Sequence, residues 1–322
     1  MNSQNEVIPI FNILTIIFNL SEINYNGEII NYKSIHAFNL SLRSLNDKNN
    51  KTRENIISAI INNRVPNDYY IINKWRFMKR SILNYIVNLT NNKPYKKIEC
   101  KNKAGRKNNY DFLISVCYED GTDEKFMVEL KFNASTIDEI PQFVSPMKPS
   151  QYLNSSYEEY YYDNYLPLLS TMSGIEMPSK EEYFKQIHTN KPKCMKKYQD
   201  LYYQGCSNSS KFTNNEEAIK FYNECKKLSN ESITNFINNS ELNSELFTSY
   251  LHNSQKHKIY MFYYENVFTL QTVNMDDYQI CSVTNNANKF RYECVSKTGK
   301  KLNILLRWKN GNGIAFPAFQ IS

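Results

Sequence analysis

Three short apolar segments, Tyr95 to Lys103, Tyr110 to Tyr118 and Lys125 to Asn133, are separated by little more than Ala104-Gly105 and Asp120-Gly121. Connections that short cannot carry a parallel crossover, so the segments read as an antiparallel meander. Just before them, Ile71 to Leu89 places Ile72, Trp75, Phe77, Met78, Ile82, Leu83, Ile86 and Leu89 near a 3.6-residue period, and Asn92-Lys93-Pro94 closes that helix. Asn55 to Asn63 reads as an earlier helix, and the first ninety-odd residues as mostly helical.

After the meander the pattern is helical and polar from Thr136 to about Gln255, with a tyrosine-rich patch at Tyr157 to Tyr165. From Lys258 it changes to short strands: KIYMFYY, VFTLQTV, YQICSV, KFRYECV, KLNILLRW and IAFPAFQI. Glu265-Asn266, Lys297-Thr298-Gly299 and Asn310-Gly311-Asn312-Gly313 look like the hairpin turns between them. The expected plan is α/β or α+β: one domain over 1–257 with a helical N-terminal part, the meander at about 95–133 and a helical insert after it, then a β-rich region over 258–322. No internal repeat is visible.

Composition narrows the class. With 41% apolar residues, 18 Phe and 25 Tyr, 322 residues can bury a core, which argues against disorder. The net charge of +7 and pI near 8.8 permit a polyanionic partner without demonstrating one. Abundant Asn, Lys, Ile and Tyr are what AT-rich codons give, so they carry little weight. Val7 to Leu20 is too short for a bilayer span of about 20 residues, and Glu6 is the only charge ahead of it; it reads as a buried helix, with no membrane segment. Seven scattered cysteines without a Cys-x-x-Cys pair suit reduced thiols in an intracellular, cytoplasm-like compartment. His188, Cys194 and Cys206 match no zinc spacing.

The chemistry concentrates in Tyr110-Asp111-Phe112-Leu113-Ile114 and Val128-Glu129-Leu130-Lys131-Phe132. Alternation along a strand puts Glu129 and Lys131 on one face, with Val128, Leu130 and Phe132 on the other. Asp111 likewise shares a face with Leu113 and Ser115, opposite Phe112, Ile114 and Val116. Register decides whether the acids meet. A two-residue turn at Asp120-Gly121 would set Asp111 across from Leu130, on the wrong face. A three-residue loop, Glu119-Asp120-Gly121 with Gly121 left-handed, pairs Tyr118 with Thr122 and sets Asp111 across from Glu129. Two carboxylates and the intervening backbone carbonyl would then form an open oxygen site for Mg²⁺, with Lys131 beside it. Glu99-Cys100-Lys101, Glu224-Cys225-Lys226 and Asp123-Glu124-Lys125 lack the preceding Asp-bearing strand. The competing reading is an ordinary solvated cross-strand pair, worth a few tenths of a kcal/mol.

Helix, three-strand meander, Asp opening the second strand and Glu-x-Lys in the third resembles the PD-(D/E)XK nuclease superfamily, over roughly Ile71 to Gln151. Tyr110 stands where the family name has proline, and no Gln-x-x-x-Tyr signature follows the lysine. The resemblance implies an α/β, restriction-endonuclease-like fold, a mixed sheet flanked by helices with a β-rich C-terminal extension, with Asp111, Glu129 and the Leu130 carbonyl as Mg²⁺ ligands and Asp111, Glu129 and Lys131 as the catalytic set. It further implies double-stranded DNA as substrate, a type II restriction-like reaction, and the homodimer that many such enzymes form. Arg106, Lys107, Gln142, Arg307 and Lys309 are candidate DNA contacts, Glu54 a candidate third carboxylate, and His252 and His257 candidate bases. Trp308 reads as core. A repair, recombination or RNA nuclease on the same core, and a non-catalytic nucleic-acid-binding protein with a degenerate nuclease fold, are the rival expectations.

Overall fold

The meander forms as its spacing requires: β3 (Tyr95–Asn102), β4 (Phe112–Tyr118) and β5 (Asp123–Phe132) pair antiparallel. The structure is a computed structural model that describes residues 20–40, 45–103, 108–137, 143–144 and 148–322. The helix expected at Val7 to Leu20 lies almost wholly outside them. The Glu119-Asp120-Gly121 loop is the three-residue type. Tyr118 N–H donates to the Thr122 carbonyl at 2.8 Å, Gly121 N–H donates to the Tyr118 carbonyl at 3.1 Å, and Gly121 has φ +86°.

Beyond the meander, β5 pairs in parallel with β7 (Lys258–Tyr264), and β7 turns back through left-handed Glu265 and Asn266 into β8 (Val267–Thr272). The mixed five-stranded sheet therefore runs β3-β4-β5-β7-β8. Helices α1 (Asn46–Ile61) and α2 (Asn73–Leu89) pack against β3 and β8. Ile56, Ile57, Trp75, Ile82 and Ile86 meet Phe112, Ile114, Val116 and Val128 in one core. Area removed from water at about 25 cal/mol per Å² is what holds such a layer together. Ahead of α1, β1 (Ile23–Tyr25) and β2 (Glu28–Ile30) make a hairpin over Asn26-Gly27, both left-handed. The described part of the first ninety residues is otherwise mostly helical, as expected, and the hairpin is what that reading left out; Asn-Gly between apolar residues is a strong two-residue hairpin signal.

The domain expectation also needs correction. The chain divides into one unit of residues 1–139 and 256–273 and a second of 140–255 and 274–322. The strands at 258–272 thus belong with the meander and not with a C-terminal region. The physical reason is the parallel β5–β7 pair, which needs a long crossover, and residues 140–255 fill that interval.

In the second unit β6 (Phe143–Val144), β9 (Ile280–Asn286), β10 (Arg291–Ser296), β11 (Lys301–Trp308) and β12 (Pro317–Ile321) form an antiparallel sheet ordered β6-β12-β11-β10-β9. Its helices are α3 (Tyr157–Asn164), α4 (Leu166–Ser173), α5 (Lys180–Gln186), α6 (Lys196–Gly205), α7 (Glu216–Asn238) and α8 (Ser244–Gln255). Side chains of Ser156, Ser179 and Asn215 cap α3, α5 and α7, satisfying N–H groups a helix start leaves open. Tyr157, Tyr161 and Tyr165, four residues apart, are buried together. Trp308 is core, as expected, and donates its indole N–H to Tyr157 Oη at 2.9 Å.

Candidate active site

The β4–β5 pairing runs as far as Phe112↔Val128, and Asp111, one residue before β4, is tied to β5 beside Glu129 by its own bonds. Asp111 N–H donates to the Val128 carbonyl at 2.9 Å, and its Oδ2 accepts Leu130 N–H at 2.8 Å. A strand residue's N–H and carbonyl face the same edge, so the Leu130 carbonyl opens toward Asp111 as well. The faces are also as expected. Phe112, Ile114, Val116 and Val128 enter the core, with Leu130 and Phe132 packed against it, and alternation along β5 turns Glu129 and Lys131 to the other face; Asp111, Glu129 and Lys131 are all partly exposed.

Glu129 is held at both oxygens. Lys131 Nζ lies 2.7 Å from Oε1 and Lys258 Nζ 3.0 Å from Oε2. The Lys258 side chain is 3% exposed, against 15% for Glu129 and Lys131. Burial pushes its ammonium below the usual lysine range, with the Glu129 charge opposing that shift. Sequence reasoning missed this lysine. The residue opens the apolar run KIYMFYY, and only the parallel partnership with β5 brings it to Glu129.

Glu54, on α1, faces the same acids. Its carboxyl is pushed up to about 7, first by burial and then by the Asp111, with Glu28 adding to it and Lys51 opposing. Asp111 is pushed up to about 6 by burial and then by Glu129, against the Leu130 N–H, Lys131 and Lys258. Neighbouring Arg53 pins this part of α1: its Nε donates to the Ala37 carbonyl at 2.6 Å and its guanidinium sits 3.4 Å from the Phe132 ring centre. Carboxyls buried and crowded until they resist ionisation are what a hard divalent cation relieves. The donors, Asp111, Glu129 and the Leu130 carbonyl, are all oxygen, which suits Mg²⁺. Among the described residues no three acid, histidine or cysteine side chains already form a closed cage. An ion that keeps several waters needs none.

Beside the acids, a cleft of about 620 Å³ follows β3, lined by Arg64, Lys97, Lys101 and Lys103 together with Asn26, Asn62 and Asn102. The Asn62 amide bridges the Cys100 backbone, accepting from its N–H at 2.8 Å and donating to its carbonyl at 2.8 Å. Asn26 and Asn102 donate to Asn55 Oδ1 at 3.1 and 2.9 Å, and Asn55 donates to Glu28 at 2.9 Å. Amides thus link the cleft to the carboxylates around Glu54. The β1–β2 hairpin supplies Asn26 and Glu28, so missing the hairpin hid this network.

Arg106, Lys107 and Gln142 lie outside the described residues. Arg307 and Lys309 belong to the second unit, where Arg307 donates to Gln320 at 2.6 Å and Lys309 lies over the Phe316 ring. His257 is exposed and His252 sits on α8 of the second unit; neither is among the groups that shift Asp111. All seven cysteines are free, and no described helix is long and apolar enough to cross a membrane. Comparison with protein-family models, curated proteins and solved structures finds no match to this chain.

Proposed function

We propose that the chain is a Mg²⁺-dependent endonuclease with a restriction-endonuclease-like core of the PD-(D/E)XK type, hydrolysing double-stranded DNA in the manner of a type II restriction enzyme. The observation that supports this reading is the closeness of two acids and an amine: Asp111 Oδ2 accepts the N–H of Leu130, next to Glu129, at 2.8 Å, while Lys131 lies 2.7 Å from the Glu129 carboxylate. A structural ion pair needs one acid and one amine. Here Asp111 feels Glu129, two amines meet Glu129, Glu54 of α1 feels Asp111, and Asp111 and Glu54 are pushed well above their ordinary range.

Asp111, Glu129 and the Leu130 carbonyl would hold the ion, with Glu54 behind Asp111. Bound there, magnesium supplies positive charge against the scissile phosphate and acidifies water. Lys131 turns from Glu129 to the phosphate, donating N–H to the oxygen on which charge develops as water adds to phosphorus and one P–O ester bond breaks. Lys258 keeps the second Glu129 oxygen fixed, so the carboxylate holds its orientation when Lys131 moves. The lysines and arginine of the β3 cleft fit the flanking phosphates, which position a duplex without reading it.

Incubating the purified chain with supercoiled plasmid tests the reading. Cleavage with Mg²⁺, none with EDTA, and none in D111N or K131M is expected. Discrete fragments would mark sequence recognition and a smear a less selective nuclease. Duplex binding without cleavage, indifferent to D111N and K131M, would overturn the reading in favour of a non-catalytic protein.

A further inference from the structure

A second cleft, of about 790 Å³, lies wholly within the second unit, between the segment around Pro192, helix α6 and the loop at Ser209 to Lys211. Its volume is that of a small-molecule pocket. Lys191, Lys193, Lys196 and Lys211 line it against a single carboxylate, Asp200, which pairs with Lys211 at 3.1 Å. Among the described residues Lys191, Lys193 and Lys196 pair with no carboxylate, and all three are exposed. The cleft therefore holds three uncompensated positive charges.

Its floor is built. Gln199, 8% exposed, donates to the carbonyls of Asn190 at 3.1 Å and Asn310 at 3.4 Å, and Asn310 donates to Asn190 Oδ1 at 2.8 Å. Two loops distant in sequence are thereby tied across one side chain, so the opening does not depend on a ligand to form it. Tyr203 lines the same cleft, with the buried Tyr202 ring edge-on to it at 5.3 Å. A half-buried aromatic ring beside three unpaired ammonium groups is complementary to a ligand with a flat ring next to a phosphate.

We propose that this cleft binds a nucleoside phosphate, with the base against Tyr203 and the phosphate among Lys191, Lys193 and Lys196. A free nucleotide and an unpaired stretch of a nucleic-acid strand share that chemistry. The proposal is independent of the nuclease reading, because neither Asp111 nor Glu129 takes part.

Calorimetric titration of the full-length chain in EDTA, where no metal-dependent cleavage interferes, separates the outcomes. The probes are ATP, inorganic pyrophosphate and a ten-residue oligothymidylate. ATP or the oligonucleotide binds more tightly than pyrophosphate, and K193A/K196A and Y203L each weaken that binding about tenfold or more. K289A, an exposed lysine of the same unit outside the cleft, leaves it unchanged. Tight ATP binding identifies a free nucleotide as the source; tighter oligonucleotide binding with a steep salt dependence identifies a strand. Circular dichroism checks each variant, and should Y203L lose its fold, the lysine pair decides. Absence of heat with every probe at millimolar concentration, or binding unaltered in K193A/K196A, overturns the proposal.

Discussion

In the second unit several buried polar groups close on one another, although the Tyr161 and Tyr183 hydroxyls find no hydrogen-bond partner among the described residues. Tyr157 Oη meets Ser232 at 3.0 Å and the Trp308 indole at 2.9 Å, Ser240 meets Tyr292 at 2.6 Å, and the Glu158 carboxylate meets His188 at 2.8 Å. In the first unit the acids on the sheet face are set against each other. Burial and then Asp111 raise Glu54, burial and then Glu129 raise Asp111, and the two lysines pair with Glu129. Polarity of the first kind fastens a fold. Polarity of the second kind weakens it and persists where a site uses it.

That contrast can be broken by mutation. Glu129→Gln should lower the cleavage rate about 10³-fold or more, since it removes a proposed Mg²⁺ ligand and the partner of Lys131. Its denaturation midpoint should stay near that of the parent chain; a collapse of both together would make Glu129 a structural residue. In the second unit the sign reverses. Trp308→Ala should cost about 3 kcal/mol or more in urea denaturation, through lost burial and the lost bond to Tyr157, with far less effect on the chemical step of DNA already bound.

A smaller effect sharpens the role of Lys258. Lys258→Met should slow cleavage about 10- to 100-fold, with little loss of stability, because a buried ammonium is replaced by a thioether of similar length. A large stability loss with an unchanged rate would assign it to structure alone.

The smallest expected effect is on pH dependence. Asp111 and Glu54 sit near 6 and 7 in the fold, against ordinary values of 3.8 and 4.5. A carboxyl held above its unfolded value favours the fold while protonated. This contribution is complete below about pH 4 and is lost as pH rises through 6 to 7. Metal-free protein should therefore lose about 1–3 kcal/mol between pH 5 and pH 8 from these groups. Asp111→Asn should flatten the loss, and millimolar Mg²⁺ at pH 8 should restore stability in the parent chain only. A profile that D111N leaves unaltered would show that the acids are not opposed.

The strands that carry the candidate site were legible because their information is local. Alternation at Phe112, Ile114 and Val116 fixed the faces, and Gly121 allowed the loop whose register joins Asp111 to Glu129. Lys258 was illegible for the opposite reason: its contact depends on a parallel pairing across more than a hundred intervening residues, which no short pattern encodes. The same crossover hid the division of the chain, since strands 258–272 carry the alternation of the later strands and differ only in their partner. The β1–β2 hairpin was readable from Asn26-Gly27 but was overridden by the helical pattern around it.

Single-turnover cleavage of an end-labelled duplex by the parent chain and by Lys131→Met, each saturated with Mg²⁺, bears most directly on the proposed chemistry. Strand scission in the parent chain, and a rate lowered at least about 10²-fold in the variant with Mg²⁺ affinity unchanged, is the expected result. Equal rates in the two proteins, or an intact duplex in both, would contradict it.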